Sequence, residues 1–237
     1  MVIRAIFYDL DGTLRLNVPE GWHVFSDIAN ELGLNIQPED RLRAARWEHY
    51  YFAESAEILS DQVSFRDGPA FWVNFGYRQL IVLGASPQQA AELAPVLHQH
   101  MNDRYRPVDI IPADLIETLN ILKSQGYILG VLSNRRESFS EYLAELGLSE
   151  FFSLVVYAGE AGSLKPNPGV FHYLLEKAGV SAQESIYIGD NYYADVVGSR
   201  RAGMSPVLLD FNGLFVDPDC PVIKTHSQIF QYLERRR

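Results

Sequence analysis

The sequence predicts an α/β protein in which a doubly wound parallel sheet carries a separate, all-helical insert. Three observations support this. From Asp109 to about residue 209, helix and strand patterns alternate, which is typical of βαβ units on a parallel sheet covered by helices on both faces. Residues 3–8 form a short apolar run, rich in β-branched and aromatic side chains, that ends abruptly at Asp9 and reads as a buried strand of the same sheet. Between Leu14 and Pro107 the pattern is helical.

The composition is that of a globular protein in a reducing compartment. The chain has 237 residues, enough for one large domain or a core domain with an insert, and a net charge of −10 that argues against nucleic acid as a partner. Its single cysteine, Cys220, excludes an internal disulfide framework. The first apolar run is short and interrupted by Arg4, which argues against a signal peptide or a membrane-spanning helix. We therefore expect a soluble, cytoplasmic protein without a membrane partner.

The predicted insert covers residues 16–107, and residues 1–15 and 108–237 make the sheet domain. Apolar residues such as Val24, Ile28 and Leu32 recur at helical spacing and give each helix one face to bury. Ser86 is the predicted N-cap of the last insert helix, with Pro87 in its first turn. The predicted insert helices are 20–32, 38–54, 67–83 and 87–105.

The sheet domain is predicted as an alternation that begins with the strand 3–8. Its later strands are 128–132, 154–157, 185–188 and 207–209, with a possible short strand at 222–223. Its helices are 112–124, 137–146, 168–178 and 192–202. A last helix ends in Arg235, Arg236 and Arg237, whose charges complement the carbonyl end of the helix.

Two carboxylates follow the first predicted strand. Asp9 and Asp11 lie two residues apart, so an extended chain places them on one side. In an open parallel sheet, ligands bind beyond the carboxyl ends of the strands, and these two residues would face that crevice. The same four residues, Asp-Leu-Asp-Gly, are also ordinary turn formers at a strand end, so the motif needs support from elsewhere.

Two further polar clusters follow later strands. Ser133 and Asn134 come directly after the strand 128–132, where a hydroxyl and backbone amides suit phosphate oxygens, although Ser-Asn is equally a common helix N-cap. Lys165 lies in the loop before a helix that Asn167 caps and Pro168 begins. A loop lysine is most often simply solvated.

The fourth cluster, Gly-Asp-Asn-Tyr-Tyr-Ala-Asp, follows the strand 185–188. Asp190 stands at the strand end, and Asp195 lies in the first turns of the next helix, where the helix dipole alone also favours a carboxylate.

Each cluster taken singly has an ordinary structural explanation. These explanations do not account for the position of all four clusters at the carboxyl ends of predicted strands. Bringing Asp9, Asp11 and Asp190 within about 4 Å of each other costs several kcal/mol per pair at an effective dielectric near 20, so the cluster requires a cation. Oxygen ligands without histidine or cysteine favour a hard ion, Mg²⁺ first. With Lys165 as a second positive charge, this set suits phosphoryl transfer.

Taken together, the four motifs resemble those of the haloacid dehalogenase superfamily of aspartate-dependent phosphohydrolases. The resemblance rests on the Asp-x-Asp-Gly-Thr-Leu and Gly-Asp-x-x-x-x-Asp spacings and on the family's order of motifs, over residues 3–14 and 109–209. It implies a Rossmann-like core and a helical cap of the C1 type, formed by the insert.

The resemblance also implies a role for each aspartate of the first motif. Asp9 would be the nucleophile that forms an aspartyl phosphate and a metal ligand. Asp11 would protonate the leaving group and then activate water, while its backbone carbonyl binds Mg²⁺. As an acid it must carry a proton, and neighbouring carboxylates with partial burial are the features that would raise its pKa. The dehalogenases of the superfamily lack this second aspartate, so the chain resembles its phosphatases and phosphomutases.

The other motif residues would bind the phosphoryl group and the metal. By resemblance, Ser133 and Lys165 hold the transferring phosphoryl group, with Asn134 nearby. Asp190 ligates the metal, and Asp195 either supports the metal or orients Lys165.

The predicted function is therefore a Mg²⁺-dependent phosphatase that hydrolyses a small phosphorylated metabolite through an aspartyl-phosphate intermediate. A phosphomutase, or more distantly a non-catalytic phosphate- or metal-binding protein, remains an alternative. The particular phosphomonoester and the oligomeric state stay open. About one in four of the following residues is expected to contact substrate: Arg15, Trp22, His23, Arg43, Trp47, Tyr50, Arg66, Trp72 and Arg78.

Overall fold

A computed structural model describes residues 2–66 and 68–235 of the chain. The strands are β1 (Ala5–Tyr8), β2 (Leu16–Val18), β3 (Val108–Ile110), β4 (Ile128–Ser133), β5 (Leu154–Tyr157), β6 (Ser185–Gly189), β7 (Ser205–Leu209) and β8 (Val222–Ile223). The α-helices are α1 (Gly21–Glu31), α2 (Pro38–Phe52), α3 (Ala56–Phe65), α4 (Pro69–Val82), α5 (Pro87–Arg104), α6 (Leu115–Ser124), α7 (Ser140–Glu145), α8 (Ala158–Ala161), α9 (Pro168–Ala178), α10 (Val197–Arg201) and α11 (Ile229–Glu234).

The chain divides into two compact units. One, called here the sheet unit, comprises Met1–Leu16 and Ile110–Arg237, and the other, the helical unit, comprises Asn17–Asp109. Strands β2 and β3 form a two-stranded sheet at the two places where the chain passes from one unit to the other.

A six-stranded parallel sheet forms the middle of the sheet unit, as the sequence predicted. Its strand order is β5-β4-β1-β6-β7-β8, so β1 lies between β4 and β6. Tyr8, the last residue of β1, is in register with Val131 of β4 and Ile188 of β6. This register brings the residues that follow each of the three strands to one edge of the sheet, where the strand order changes direction.

Strand β1 is buried on both faces because its side chains alternate between two cores. Ile6 and Tyr8 pack in a core that contains Leu119 of α6, whereas Phe7 packs in a second core with Phe171 of α9. Each such fully buried side chain contributes about 1.5–3 kcal/mol of hydrophobic free energy. The helices on both faces confirm the doubly wound arrangement.

The helical unit has a core of its own between α1, α2, α4 and α5. Phe25, Ile28, Leu80 and Leu97 are among its buried side chains. The predicted cap of α5 is confirmed, because the Ser86 hydroxyl accepts from the Gln89 amide and the Gln89 side chain accepts from the Ser86 amide. A separate aromatic cluster contains Tyr51, Phe71 and Phe75, with Trp47 against it.

Several short elements were absent from the sequence prediction. Residues 55–66 were left without a helix, yet α3 forms there, begun by Ser55, whose hydroxyl accepts from the Ile58 amide at 3.1 Å. The region after Leu14 was predicted to be helical, yet β2 forms, and β3 and α8 were also missed. Three-residue strands and one-turn helices carry too few residues for periodicity to reveal them.

Some predicted boundaries also move. The helix predicted over 137–146 is shortened to α7, and the helix predicted over 192–202 opens with a π-helical turn, Tyr192–Val196, before α10. The predicted start of α4 at Asp67 and the last two arginines of the C-terminal run, Arg236 and Arg237, lie outside the described residues. Among the residues that are described, no helix has the length and apolar character needed to cross a membrane.

Candidate active site

Asp9 is the first residue after β1 and is almost completely buried. The residue is 7% exposed, and its Oδ1 atom accepts a hydrogen bond from Lys165 Nζ at 2.6 Å. In the described part of the chain, no hydrogen bond reaches its second oxygen, Oδ2. Asp9 therefore has one oxygen held by a cation and one available to a ligand.

Lys165 is not the solvated loop lysine that its place in the sequence most often indicates. It is 3% exposed, and its ammonium lies 2.6 Å from Asp195 Oδ1 and 3.3 Å from the Tyr187 hydroxyl, in addition to Asp9. Burial lowers the pKa of Lys165, but the charges of Asp195 and Asp9 outweigh it, so this pKa lies well above its usual value. The lysine is a fixed cation at neutral pH.

Asp195 orients this lysine. Its Oδ1 atom accepts from Lys165, and its Oδ2 atom accepts from the Asn191 amide at 2.9 Å. Of the two roles that the resemblance implied for Asp195, its contacts support the orientation of Lys165. Gly189 makes this possible, since a Cβ atom there would lie 2.2 Å from Asp195 Oδ2.

Asn134 holds the loop that presents the lysine. Its Oδ1 atom accepts from the Lys165 amide at 2.7 Å, and its Nδ2 atom donates to the Lys165 carbonyl at 3.1 Å. Ser133 ends β4, is buried, and its hydroxyl accepts from the Arg135 amide at 3.3 Å. The register of β1 and β4 places Ser133 at the same edge of the sheet as Asp9.

Asp190 follows β6 and is held by the loop after β1. Thr13 Oγ1 donates to Asp190 Oδ1 at 3.0 Å and accepts from the Asp190 amide at 3.1 Å. Gly12 has a φ of +85°, and a Cβ atom there would lie 2.5 Å from Asp190 Oδ2. Both the backbone conformation and the close approach therefore require glycine at position 12.

The carboxylates of this cluster fit a hard cation. Asp9, Asp190 and Asp195 each offer an oxygen within 4.8 Å of the others. Burial raises the pKa of Asp9 to about 7 against the lowering effect of Lys165, and burial, with the charges of Asp9 and Asp195, holds the pKa of Asp190 well above its usual range. One lysine therefore does not neutralise the cluster. In the described residues, Asp9 Oδ2 and Asp190 Oδ2 have no hydrogen-bond partner, which leaves these two oxygens for a metal ion.

Asp11 differs from its neighbours. Arg135 Nε and Nη2 donate to its two oxygens at 3.1 and 2.9 Å, and Arg15 Nε donates to Oδ1 at 2.9 Å. Burial raises the pKa of Asp11, but the hydrogen bonds and charges of the two arginines outweigh it and lower this pKa below its usual value. The sequence left the direction of this shift open, because it did not reveal the paired arginines.

Three functional contacts were missed by the sequence prediction. Thr13 stands inside the first motif, and Arg135 directly follows Ser133-Asn134, so both were adjacent to residues already singled out. Tyr187 gave no signal, because an aromatic residue in the middle of β6 looks like any core residue. Its hydroxyl contacts Lys165 and donates to the Leu132 carbonyl at 3.0 Å.

Several of the residues proposed to contact substrate have structural partners within the helical unit. Arg43 Nη2 donates to the Val82 carbonyl at 2.7 Å, and Arg78 forms a two-point ion pair with Asp61 at 2.7 and 2.8 Å. Trp47 packs against the aromatic cluster. These side chains connect helices of the unit.

Comparison with known proteins places the chain in a family. A family model described as "Haloacid dehalogenase-like hydrolase" matches residues 72–209, more than half of the chain. The chain belongs to the haloacid dehalogenase-like hydrolases. The resemblance found in the four motifs is thereby confirmed.

The relatives include enzymes named as phosphatases. The "Glyceraldehyde 3-phosphate phosphatase" of Methanopyrus kandleri is 36% identical over 210 residues, covering 87% of this chain and 83% of that protein. The "Phosphoserine phosphatase" of Thermus thermophilus is 35% identical over 227 residues, covering 88% and 89%. A solved structure of a HAD phosphatase from Thermococcus onnurineus, 23% identical with a TM-score of 0.58 and 98% of both chains covered, shows the same fold. The predicted phosphatase-type recognition and enzyme class are confirmed.

Proposed function

We propose that this haloacid dehalogenase-like enzyme is a Mg²⁺-dependent phosphatase that hydrolyses a small phosphomonoester through a phosphorylated Asp9. The observation that carries the proposal is the environment of Asp9. It is buried, its Oδ1 atom is held by the Lys165 ammonium, and its Oδ2 atom is without a hydrogen bond among the described residues, beside Asp190. A carboxylate so placed is an oriented nucleophile.

In the first half-reaction, the Asp9 carboxylate attacks phosphorus. The new bond joins a carboxylate oxygen to phosphorus, the bond between phosphorus and the ester oxygen breaks, and Asp11 donates a proton to the departing oxygen. Lys165 lies beside the attacking carboxylate and offers its positive charge to the phosphoryl oxygens. Asp11 must first leave Arg15 and Arg135 and take up a proton from solvent, because these arginines keep it ionised.

Asp9 and Asp190, with the backbone carbonyl of Asp11, would hold Mg²⁺. When bound, this ion offsets the charge of the carboxylates and of the phosphate, so that one anion can approach another. The oxygen-only donor set and the raised pKa values of Asp9 and Asp190 support this assignment.

In the second half-reaction, water attacks the phosphorus of the aspartyl phosphate. Asp11, now ionised after giving up its proton, accepts a proton from that water. The bond between phosphorus and the Asp9 oxygen breaks, and the products are inorganic phosphate and the free Asp9 carboxylate. Asp11 is again protonated, ready for the next leaving group.

The names of the relatives support a substrate class. Glyceraldehyde 3-phosphate, phosphoserine and phosphoglycolate are the compounds in the names of phosphatases to which the chain is similar. All are small phosphorylated metabolites, and we propose one of that class for this enzyme. The assignment of residues 16–107 as a cap, and a cytoplasmic location, remain predictions.

Phosphate release from p-nitrophenyl phosphate with and without Mg²⁺ tests the proposal. We expect Mg²⁺-dependent turnover that Asp9→Asn lowers by roughly 10³-fold or more. The matched control, Asp103→Asn, makes the same change at an exposed position of α5 and should retain full activity. Equal activity of wild type and Asp9→Asn would sink the proposal.

A single turnover in ¹⁸O-labelled water tests the intermediate. Attack of water on phosphorus places the label in the released phosphate and none in Asp9. Label in the Asp9 carboxyl group, detected by peptide mass spectrometry, would instead show attack on the carboxyl carbon and contradict the proposed second step.

A further inference from the structure

Helices α1, α2, α4 and α5 surround a cavity of about 480 Å³ inside the helical unit. This volume falls within the range of about 300–1,000 Å³ that small-molecule sites occupy. All the residues that line the cavity belong to the helical unit. Apart from Trp72, none was singled out from the sequence.

Gln79 is one of the lining residues and is the hydrogen-bond partner of Glu48. Gln79 is 1% exposed, and its Nε2 atom donates to Glu48 Oε2 at 2.9 Å. Its Oε1 atom is buried and has no hydrogen bond among the described residues. Such a buried, unpaired acceptor costs about 1–3 kcal/mol.

Aromatic rings line another part of the same cavity. Phe52, Trp72 and Phe75 form a group in which the Phe75 ring centroid lies 5.2 Å from that of Phe52 and 5.9 Å from that of Trp72. Aromatic rings accept apolar groups, and their faces also attract cations.

The environment of Glu48 favours a cationic ligand. Glu48 is the carboxyl side chain among the lining residues, and no ion pair of Glu48 is present among the described residues. Burial raises the pKa of Glu48 to about 7, and the nearby Glu20 acts in the same direction. Arg106 also lines the cavity, but its Nη1 atom donates to the carbonyls of Asn102 at 2.9 Å and Tyr105 at 2.8 Å and not to Glu48.

We propose that this cavity is a binding site for an alkylammonium group, which donates a hydrogen bond to the Glu48 carboxylate and packs its carbon chain against Phe52, Trp72 and Phe75. The chemistry is that of a primary amine. The binding itself does not depend on the proposed phosphatase activity.

Three probes of one size and different charge test the proposal: propylammonium chloride, 1-propanol and sodium propionate at equal ionic strength. Propylammonium should raise the melting temperature and change the tryptophan fluorescence in a saturable manner, and the other two should not. Equal responses to all three probes, or no saturable response to propylammonium, would overturn the proposal. Asp9→Asn protein should give the same result, which separates this test from that of the phosphatase.

Two variants locate the binding. Glu48→Gln keeps the shape of the side chain and should weaken propylammonium binding at least tenfold, about 1.4 kcal/mol. Its control, Glu92→Gln, removes an exposed carboxyl of α5 and should bind as wild type. Gly76→Leu provides a second variant, because a Cβ atom at Gly76 would meet only the Phe25 ring, at 3.7 Å, and the longer side chain fills the cavity. Unchanged binding in both Glu48→Gln and Gly76→Leu would contradict the site.

Discussion

The sheet unit and the helical unit each bury a carboxyl group whose pKa is about 7, but the causes differ. For Asp9, burial and the nearby Asp195 and Asp11 raise the pKa, and the charge of Lys165 opposes them. For Glu48, burial raises the pKa, and only the Gln79 amide opposes it directly. The first carboxyl is part of an ionic network and the second has a neutral partner. The comparison teaches that the same raised proton affinity can arise within an ionic network or beside a neutral amide.

Removal of the cation from the ionic network should have the largest effect. Lys165→Met leaves Asp9 and Asp195 buried without their ammonium, so we expect a loss of about 3–5 kcal/mol in the free energy of unfolding. Urea denaturation in metal-free buffer at pH 8 measures this loss.

Two control variants show whether the large loss of stability in Lys165→Met comes from the burial of its ion pairs. Lys177→Met breaks an exposed ion pair with Glu160 and should cost less than about 1 kcal/mol. Gln79→Leu removes the neutral partner of Glu48 and should cost about 1–2 kcal/mol. A similar loss in the free energy of unfolding in all three variants would show that the ionic network does not stabilise the protein more than an exposed ion pair or a neutral hydrogen bond.

The pH dependence of stability should separate the two carboxyls. In each, the pKa is higher in the folded protein than in the unfolded chain, where it is about 4. The folded state therefore binds more protons between pH 4 and 7, and stability falls as the pH rises through this range. For Asp9 the fall is at most about 4 kcal/mol, and for the half-buried Glu48 we expect about 1–2 kcal/mol.

Urea unfolding of the wild type, Asp9→Asn and Glu48→Gln at pH 4.5, 6 and 7.5 measures these contributions. Each variant should show a shallower fall than the wild type. Mg²⁺ should remove most of the Asp9 contribution, because it stabilises the ionised carboxylate, and leave the Glu48 contribution in place. If Mg²⁺ changed the two contributions equally, the metal site would not be at Asp9.

A smaller effect is expected at Asp11. Arg135→Gln removes one of the two arginines that lower its pKa, so the pKa should rise toward its usual value. The pH at which activity falls for want of a protonated Asp11 should therefore move upward. A pH profile of kcat for ethyl phosphate, whose leaving group needs a proton, measures the shift, with Arg136→Gln at the adjacent exposed position as the control. A profile that stays in place would mean that Asp11 is not the group whose protonation limits kcat.

Two tyrosine hydroxyls should show the smallest effects. Tyr187→Phe removes a hydroxyl that contacts Lys165 at 3.3 Å, and Tyr51→Phe removes one that donates to Asp61 at 2.9 Å. Each should cost about 1 kcal/mol in urea denaturation. Only Tyr187→Phe should also lower kcat, because its partner belongs to the catalytic network. Equal kcat in the two variants would argue that the hydroxyl of Tyr187 serves stability alone.

The confirmed parts of the sequence prediction are those carried by long or repeated patterns. Strands β1 and β6 were recognisable from short apolar runs that end in aspartate, and α5 from its Ser86 cap and its length. Helix α3 was missed although Ser55 is a good N-cap, because its ten residues show no clear apolar stripe.

The sequence predicted which residues form the candidate site, but it did not predict which of them contact each other. The position of Asp9 after a central strand follows from its motif, whereas its pairing with Lys165, 156 residues away, depends on how the loop after β1 meets the loop between α8 and α9. Asp11 shows most directly what the sequence could not give. The sequence left the direction of its pKa shift open, and the contact with Arg135, 124 residues away, lowers the pKa.

By itself, then, the sequence determined the fold class, the family and the identity of the acidic and basic groups at the strand ends, because these depend on local periodicity and on motif spacing. Only the tertiary structure decided which charges are paired, which carboxyls keep a proton near neutral pH, and that Glu48 and Gln79 line a cavity. The physical reason is that burial and Coulomb energies depend on distances between residues far apart in the chain, and these distances arise only when the sheet and the helices pack.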